Sequence, residues 1–184
     1  MAASLMLAAP IGGFLTGRVQ PRYVISASTF VAGLGIYFFS FLDPRSSALA
    51  IIWPLSIMAF GLGFGMAQRT NVIASVVPTE EIGVASSILA LARNIAGAFG
   101  IAVFATILTN VTNSKVLSYG QHSILHSVNP ADYKKFIGLI ILKAQVDAYG
   151  YVFLVASALV LIGAVGALWI KVKEERTDVE IMIE

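Results

Sequence analysis

The chain has 184 residues, of which 58% are hydrophobic and only 12% are charged. A soluble domain carries about 25% charged residues, so this chain has too few to cover a water-facing surface. Its net charge of +2 comes from basic residues spread singly between apolar blocks, which does not indicate a nucleic-acid partner. The absence of cysteine excludes disulfides, thiol catalysis and cysteine metal sites. The composition therefore predicts an integral membrane protein.

Five apolar stretches predict an all-α membrane domain over residues 1–170. About 20 residues are needed to cross, because a helix rises about 1.5 Å per residue and the hydrocarbon core is about 30 Å thick. Four stretches reach that length, and the first falls short by a few residues, as expected if an upstream part has been lost. The predicted spans are residues 1–17, 23–42, 48–68, 82–108 and 148–170.

The connections between the spans predict the orientation in the membrane. Short connections carry Arg18, Arg22 and Arg69, and they lie on the same side as the charged tail at 171–184. Cytoplasmic loops are enriched in Lys and Arg, so this side is predicted to be cytoplasmic. An odd number of spans then places the N-terminus and the long polar loop at 110–147 outside a cell (plasma or inner) membrane.

Two spans contain glycines at helical spacing. Gly61 and Gly65 form a G-x-x-x-G pair in the third span, and Gly97 and Gly100 lie one turn apart in the fourth. Small residues at this spacing let helix backbones approach closely in lipid. They predict helix packing, either static or as a surface on which helices slide during transport.

Arg93 is the formal charge predicted to lie well inside a span. An arginine at the centre of a membrane helix costs about 2.5–3.5 kcal/mol, so it should avoid lipid. Together with Asn94 and with Gln68 at the end of the third span, Arg93 is predicted to line a polar cavity. Alternatively, its side chain snorkels to the interface or caps carbonyls of a neighbouring helix.

The predicted spans lack the residues that a proton site or an enzyme would need. No Asp or Glu lies in the middle of a predicted span, so the sequence contains no evident proton site. It also contains no phosphate-binding glycine loop and no Ser/His/Asp arrangement. The sequence therefore predicts neither an enzyme nor a bound cofactor or metal.

The connection at residues 13–22 resembles the cytoplasmic loop G-x-L-x-D-R-x-G-R-R of the major facilitator superfamily. It has Gly17 where the family has its Asp, and Gln20 where the family has its second Gly. Such erosion is typical of the second, C-terminal copy of that loop. The loop keeps Gly13, Leu15, Arg18 and Arg22. By this resemblance, Gly13, Arg18 and Arg22 are the remnant of a cytoplasmic gating loop.

The fourth span is similar to one particular branch of that superfamily. Residues 83–87 and 93–102 resemble a glycine- and arginine-containing span of the 14-helix drug:proton antiporters, and residues 145–153 resemble the start of their final helix. The order and spacing of the spans agree with that family. The chain is therefore identified as most of the C-terminal helical bundle of such a transporter.

The resemblance implies alternating access between two bundles, with a central substrate cavity between them. The proton-coupling acids and half of the cavity would then lie in a missing N-terminal bundle. The implied function is part of a proton-coupled multidrug efflux transporter for small hydrophobic or cationic drugs, inactive as an isolated chain. Two alternatives remain: a transporter of another small solute, or a membrane protein that transports nothing and serves as an assembly partner.

Overall fold

The computed structural model describes residues 2–15, 18–122 and 130–170, and these ranges are helical apart from short connections. A three-residue 3₁₀ turn leads into the fifth helix and another follows the sixth. The predicted tail, residues 171–184, lies outside the described residues. The helices are α1 Ala2–Phe14, α2 Pro21–Phe39, α3 Ala48–Phe64, α4 Met66–Val76, α5 Ile82–His122 and α6 Pro130–Gly166.

Four helical stretches of the described chain are long and apolar enough to cross a membrane. They are Pro21–Phe39, Ala48–Ile73, Ile82–His122 and Lys134–Trp169. Helix α1 is apolar but has only 13 residues. The predicted fold class, an all-α membrane bundle, is confirmed.

The segment predicted as a loop at residues 110–147 is mostly helical. Helix α5 continues to His122, and α6 begins at Pro130, whose fixed φ suits the first turn of a helix. The polar residues that indicated a loop show where the chain leaves lipid, but they do not prevent backbone hydrogen bonding. With 41 residues, α5 is about 60 Å long, twice the hydrocarbon thickness. The paired ends of α5 and α6 therefore extend beyond the membrane.

Helix α2 lies at the centre of the packed region. Among its buried residues, Ser28, Ala32 and Gly35 repeat every three or four positions, as residues on one face of a helix do, and this face meets α3. A Cβ atom at Gly61 would lie 2.7 Å from the carbonyl oxygen of Ser28 and would overlap the backbone nitrogen of Ala32. A Cβ at Gly35 would likewise overlap the backbone of Met58. The absence of side chains at these glycines brings the two backbones into contact.

The other contacts of this region involve α1 and α6. A Cβ at Gly12 of α1 would overlap the carbonyl of Phe64, so α1 also lies close against α3. On the opposite side, Ser26 Oγ donates a hydrogen bond of 2.7 Å to the carbonyl of Ala164 in α6. Small residues and side-chain hydrogen bonds are the contacts that hold helices together in lipid, where apolar burial gives no drive.

Helix α5 is packed differently. It contacts α6, yet none of its residues is buried by the rest of the described chain. Tyr119 Oη donates a hydrogen bond to Asp147 Oδ2, which joins the end of α5 to the middle of α6. One long apolar helix is therefore attached to the bundle along a single side.

Candidate functional site

A cluster of polar side chains lies between α2 and the start of α4. Ser28 and Gln68 are fully buried, and Thr29 and Arg69 are partly buried beside them. The guanidinium Nη2 of Arg69 donates to Thr29 Oγ1 over 2.9 Å. We refer to Ser28, Thr29, Gln68 and Arg69 as the polar cluster.

The hydroxyl groups of the polar cluster are oriented by α2 itself. Thr29 Oγ1 donates to the carbonyl of Ile25 over 2.7 Å, and Ser28 Oγ donates to the same carbonyl over 2.8 Å. Each hydroxyl hydrogen is thereby used within the helix, so the oxygen lone pairs remain as acceptors. This leaves Thr29 able to accept from the cation of Arg69, and a hydrogen bond from a charged donor is stronger than a neutral one.

Gly65 brings α4 against α2. It ends α3 and begins α4 with φ −89° and ψ −3°, and a Cβ there would overlap Ser28 Oγ. The amide of Arg69 still donates to the carbonyl of Gly65 over 3.1 Å, so hydrogen bonding continues through the bend. The third span is thus a bent helix, with a buried hydroxyl and a half-buried arginine at the bend.

Arg69 was assigned from sequence to a connection, and this assignment is wrong. The structure places it inside the helical, apolar stretch Ala48–Ile73, so Arg93 is not the only formal charge within a span. The signal that could have revealed this is the sequence after Gln68, which contains neither Gly nor Pro until Pro78. Nothing there ends a helix before that proline.

The predicted cavity-lining residues do not come together. Gln68 belongs to the polar cluster, whereas Arg93 and Asn94 are exposed on α5. Of the four glycines predicted to pack helices together, two lie against another helix and two do not. Gly61 and Gly65 lie against α2, but at Gly97 and Gly100 an added Cβ would meet no atom of the described chain within 4 Å.

The arginines of the predicted gating-loop remnant lie against aromatic rings. Arg18 Cζ is 4.0 Å from the ring centroid of Phe14, and Arg22 Cζ is 4.8 Å from that of Tyr23. Arg22 Nη2 also donates to Tyr23 Oη over 3.2 Å, while its Nε is buried without a hydrogen-bond partner among the described residues. Gly13 faces open space. Both cations are placed as anchors at the end of the bundle, where their stems can cover apolar surface.

The amino-acid sequence is similar to parts of several known proteins. No protein-family model matches the chain. The multidrug resistance protein Stp of Mycobacterium tuberculosis is 32% identical over 106 residues, which cover 58% of this chain and 20% of Stp. The aspyridones efflux protein of Neocamarosporium betae is 25% identical over 187 residues, or 94% of this chain and 33% of that protein.

The chain is homologous to parts of multidrug resistance and efflux transporters. The resemblance inferred from its motifs is thereby confirmed, and the relatives are consistent with the major facilitator type. A triacylglyceride transporter of Mycolicibacterium hassiacum is also similar, with 28% identity over 193 residues, 95% of this chain and 36% of that protein. The chain spans about a fifth to a third of the length of the curated relatives it matches. These relatives are named as transporters rather than as enzymes.

Proposed function

We propose that this chain supplies helices to a membrane transporter that exports small hydrophobic or cationic drug-like molecules. The observation that carries the proposal is its similarity, over 94% of its length, to a protein named for efflux. The four membrane-crossing helices and the polar cluster within them support it. A purely structural bundle does not require a half-buried arginine near the end of an apolar helical stretch, because partly removing that charge from water costs free energy.

Proton exchange is proposed as the energy source, with acids supplied by further helices. The acids of this chain near its spans are Asp43, Glu80 and Glu81, which lie in connections, and Asp147, which lies within α6 and accepts a hydrogen bond from Tyr119. A proton carrier inside the membrane is normally a carboxylate facing the bundle interior. The exposed face of α5, with Arg93 and Asn94 beside two open glycines, is proposed to meet the bundle that provides that carboxylate.

The proposed location is the cell membrane, with the N-terminus outside and the C-terminal tail in the cytoplasm. The basic residues Arg18 and Arg22, in the connection between α1 and α2, support this orientation, and Arg69 lies near the end of the third span on the same side. Alkaline phosphatase fused after Ser47 should be active, and the same fusion after Glu184 should be inactive. The reverse pattern would show that the orientation is inverted.

The transport proposal is tested by exchange of the matching segment of Stp for this chain. Export is measured for dyes, such as ethidium, that intact Stp is first found to export. Blotting of membrane fractions ensures that the chimera and intact Stp are present in equal amounts. We expect the chimera to export the dye in a manner abolished by a proton uncoupler. We expect the 184-residue chain alone to export nothing, since it would lack half of the cavity.

Two results would count against the proposal. A chimera that is folded and inserted but inactive towards every dye that Stp exports would contradict the transport function. Uncoupler-sensitive export by the chain alone would contradict the requirement for a complementary bundle.

A second candidate is lipid transport. It is favoured by the triacylglyceride transporter of M. hassiacum, which matches 95% of this chain, more of it than Stp does. The same exchange made in that transporter distinguishes the two: lipid transport by that chimera, with no dye export by the Stp chimera, would favour the lipid function.

A further inference from the structure

We infer that the paired ends of α5 and α6 bind a free amphipathic anion, such as a fatty acid, outside the membrane. The binding site is a cavity of about 320 Å³ between the end of α5 and the first half of α6. Pockets that hold small molecules measure roughly 300–1,000 Å³, so the volume is adequate for one small ligand. The cavity is lined by Tyr119, His122, Phe136, Leu139, Ile140 and Lys143.

Contacts with α2 locate the membrane boundary on α6. Helix α2 is long and apolar enough to cross the membrane, and it ends at Phe39. A Cβ at Gly150 would lie 2.9 Å from the carbonyl oxygen of Ser40, so this end of α2 lies beside Gly150. Tyr149 and Tyr151 are half exposed next to it, and tyrosine is enriched where membrane helices meet water. Gly150 therefore marks the boundary on α6.

The cavity lies further out than this boundary. Lys143 and Phe136 precede Gly150 by two and four helical turns, which corresponds to about 10 and 20 Å along α6. The headgroup layer adds only about 5–8 Å to each side of the hydrocarbon core. Most of the cavity is therefore beyond the lipid and accessible from water.

The part of the cavity furthest from the membrane is apolar. Phe136, Leu139 and Ile140 are three or four residues apart, so they form one stripe along α6. Leu139 is 63% exposed, and the neighbouring Ile137 and Leu142 are exposed as well. Apolar side chains gathered on a surface outside the membrane indicate a binding partner. The apolar chain of a ligand would cover this stripe.

The part of the cavity nearest the membrane carries basic groups. Lys143 is exposed there, and His122 lines the cavity from the end of α5. His122 Nδ1 lies 2.8 Å from the carbonyl oxygen of Ser118, which can only accept, so Nδ1 donates and Nε2 is the nitrogen that can face a ligand. Lys115 Nζ lies 5.9 Å from the ring centroid of Tyr119, which adds a second ammonium group beside the cavity.

These basic groups exceed the acids around them. Asp147 is the only acid among the side chains of α5 and α6 that the structure describes. Its carboxylate accepts a hydrogen bond from Tyr119 Oη. One carboxylate cannot balance Lys115 and Lys143 together, so the cavity attracts a negatively charged group. An anionic head would accept charge-assisted hydrogen bonds from Lys143 and His122.

The order of these groups favours a free amphiphile over a lipid of the membrane. A lipid in the leaflet has its headgroup outward and its acyl chains towards the spans. In the cavity the basic groups lie nearer the boundary and the apolar stripe lies further out, which is the reverse order. An amphipathic anion that enters from water can place its head at Lys143 and its chain along Phe136 and Leu139.

The test is photolabelling of the full chain in phosphatidylcholine nanodiscs. The probes are dodecanoic acid with a diazirine in its chain and the alcohol with the same chain, and labelled peptides are identified by mass spectrometry. We expect the acid to label residues 136–140 in a saturable manner. The alcohol should bind there roughly tenfold more weakly, because it lacks the charge.

Substitutions separate the charge from the apolar stripe. Lys143→Gln should weaken binding of the acid about tenfold and leave the alcohol unchanged. Lys134→Gln is the matched control, since Lys134 is exposed on α6 without lining the cavity, and it should change neither probe. Leu139→Ala should weaken both probes about fivefold, because it removes apolar surface that both chains cover.

Three outcomes would overturn the inference. Equal binding of the acid and the alcohol would show that the basic groups play no part. Labelling confined to the membrane-crossing stretches would show that the probes only dissolve in lipid. Loss of labelling at residues 136–140 when phosphatidylglycerol is added to the nanodiscs would show that a membrane lipid occupies the cavity. None of these measurements involves transport, so the site and the export function can fail separately.

Discussion

Glycines at helical spacing occur both at the α2–α3 interface and in the long helix α5, but only those at the interface are packed against another helix. Gly61 and Gly65 lie so close to α2 that a single methyl group at either would overlap its atoms. Gly97 and Gly100 have the same kind of helical spacing, yet they face open space in the described chain. Small residues thus allow two helix backbones to approach closely, but they do so only where a partner helix is present.

The largest expected effect on stability comes from adding a methyl group at a packed glycine, compared with the same change at an open one. Gly61→Ala should destabilise the chain by about 1–3 kcal/mol, because the methyl would overlap backbone atoms of Ala32 that cannot move aside. Gly97→Ala should be neutral or stabilise by up to about 1 kcal/mol, since Ala is the better helix former and the position is open. Thermal unfolding in detergent micelles measures both.

Equal loss of stability in the two variants would contradict the comparison. It would mean that α5 has a closely packed partner within the chain, in the same way that α3 has α2. Unchanged stability in both would show that the backbones of α2 and α3 are further apart than the structure places them.

The next effect concerns the arginine of the polar cluster. Arg69→Ala removes the hydrogen bond to Thr29 and should lower the free energy of unfolding by about 1–2 kcal/mol. Thr29→Val should cost less, and after Arg69→Ala it should cost almost nothing, because the two side chains share one interaction. A double-mutant cycle in the same micelles measures the coupling; additive effects would show that the bond does not contribute.

The smallest effect on stability is expected at the arginine of α5. Arg93→Ala should leave unfolding of the chain unchanged, because Arg93 is exposed and its side chain has no hydrogen bond or ion pair with the residues that the structure describes. Its role should appear only in transport by the Stp chimera. If the guanidinium of Arg93 binds a carboxylate or a substrate through two N–H groups, Lys cannot replace it. Arg93→Lys should then reduce dye export as much as Arg93→Ala does.

A snorkelling role for Arg93 gives a different pattern in the same assay. Lys reaches the interface as Arg does, so Arg93→Lys should then retain export while Arg93→Ala loses part of it. Full export by both variants, at matched expression, would show that Arg93 has no role in transport.

The membrane-crossing helices could be predicted because hydrophobicity over about 20 residues is a local property of the chain. Residues 23–42 and 148–170, for example, fall within or close to helices that meet this criterion in the structure. The loop at residues 110–147 was wrongly predicted for a related reason. Polarity reports contact with water, whereas a helix can continue into water wherever no proline or other breaker interrupts its hydrogen bonds.

The polar cluster could not be predicted, because it depends on contacts between distant parts of the chain. Thr29 and Arg69 are 40 residues apart, and their hydrogen bond requires both the bend at Gly65 and the close approach of α4 to α2. The sequence by itself determined that the chain lies in a membrane and that it resembles efflux transporters, since both follow from composition and short motifs. Only the tertiary structure decided which arginine is partly buried in the bundle and which glycines are packed. A short motif fixes the side chains on one helix face, whereas the fold determines which other helix, if any, contacts that face.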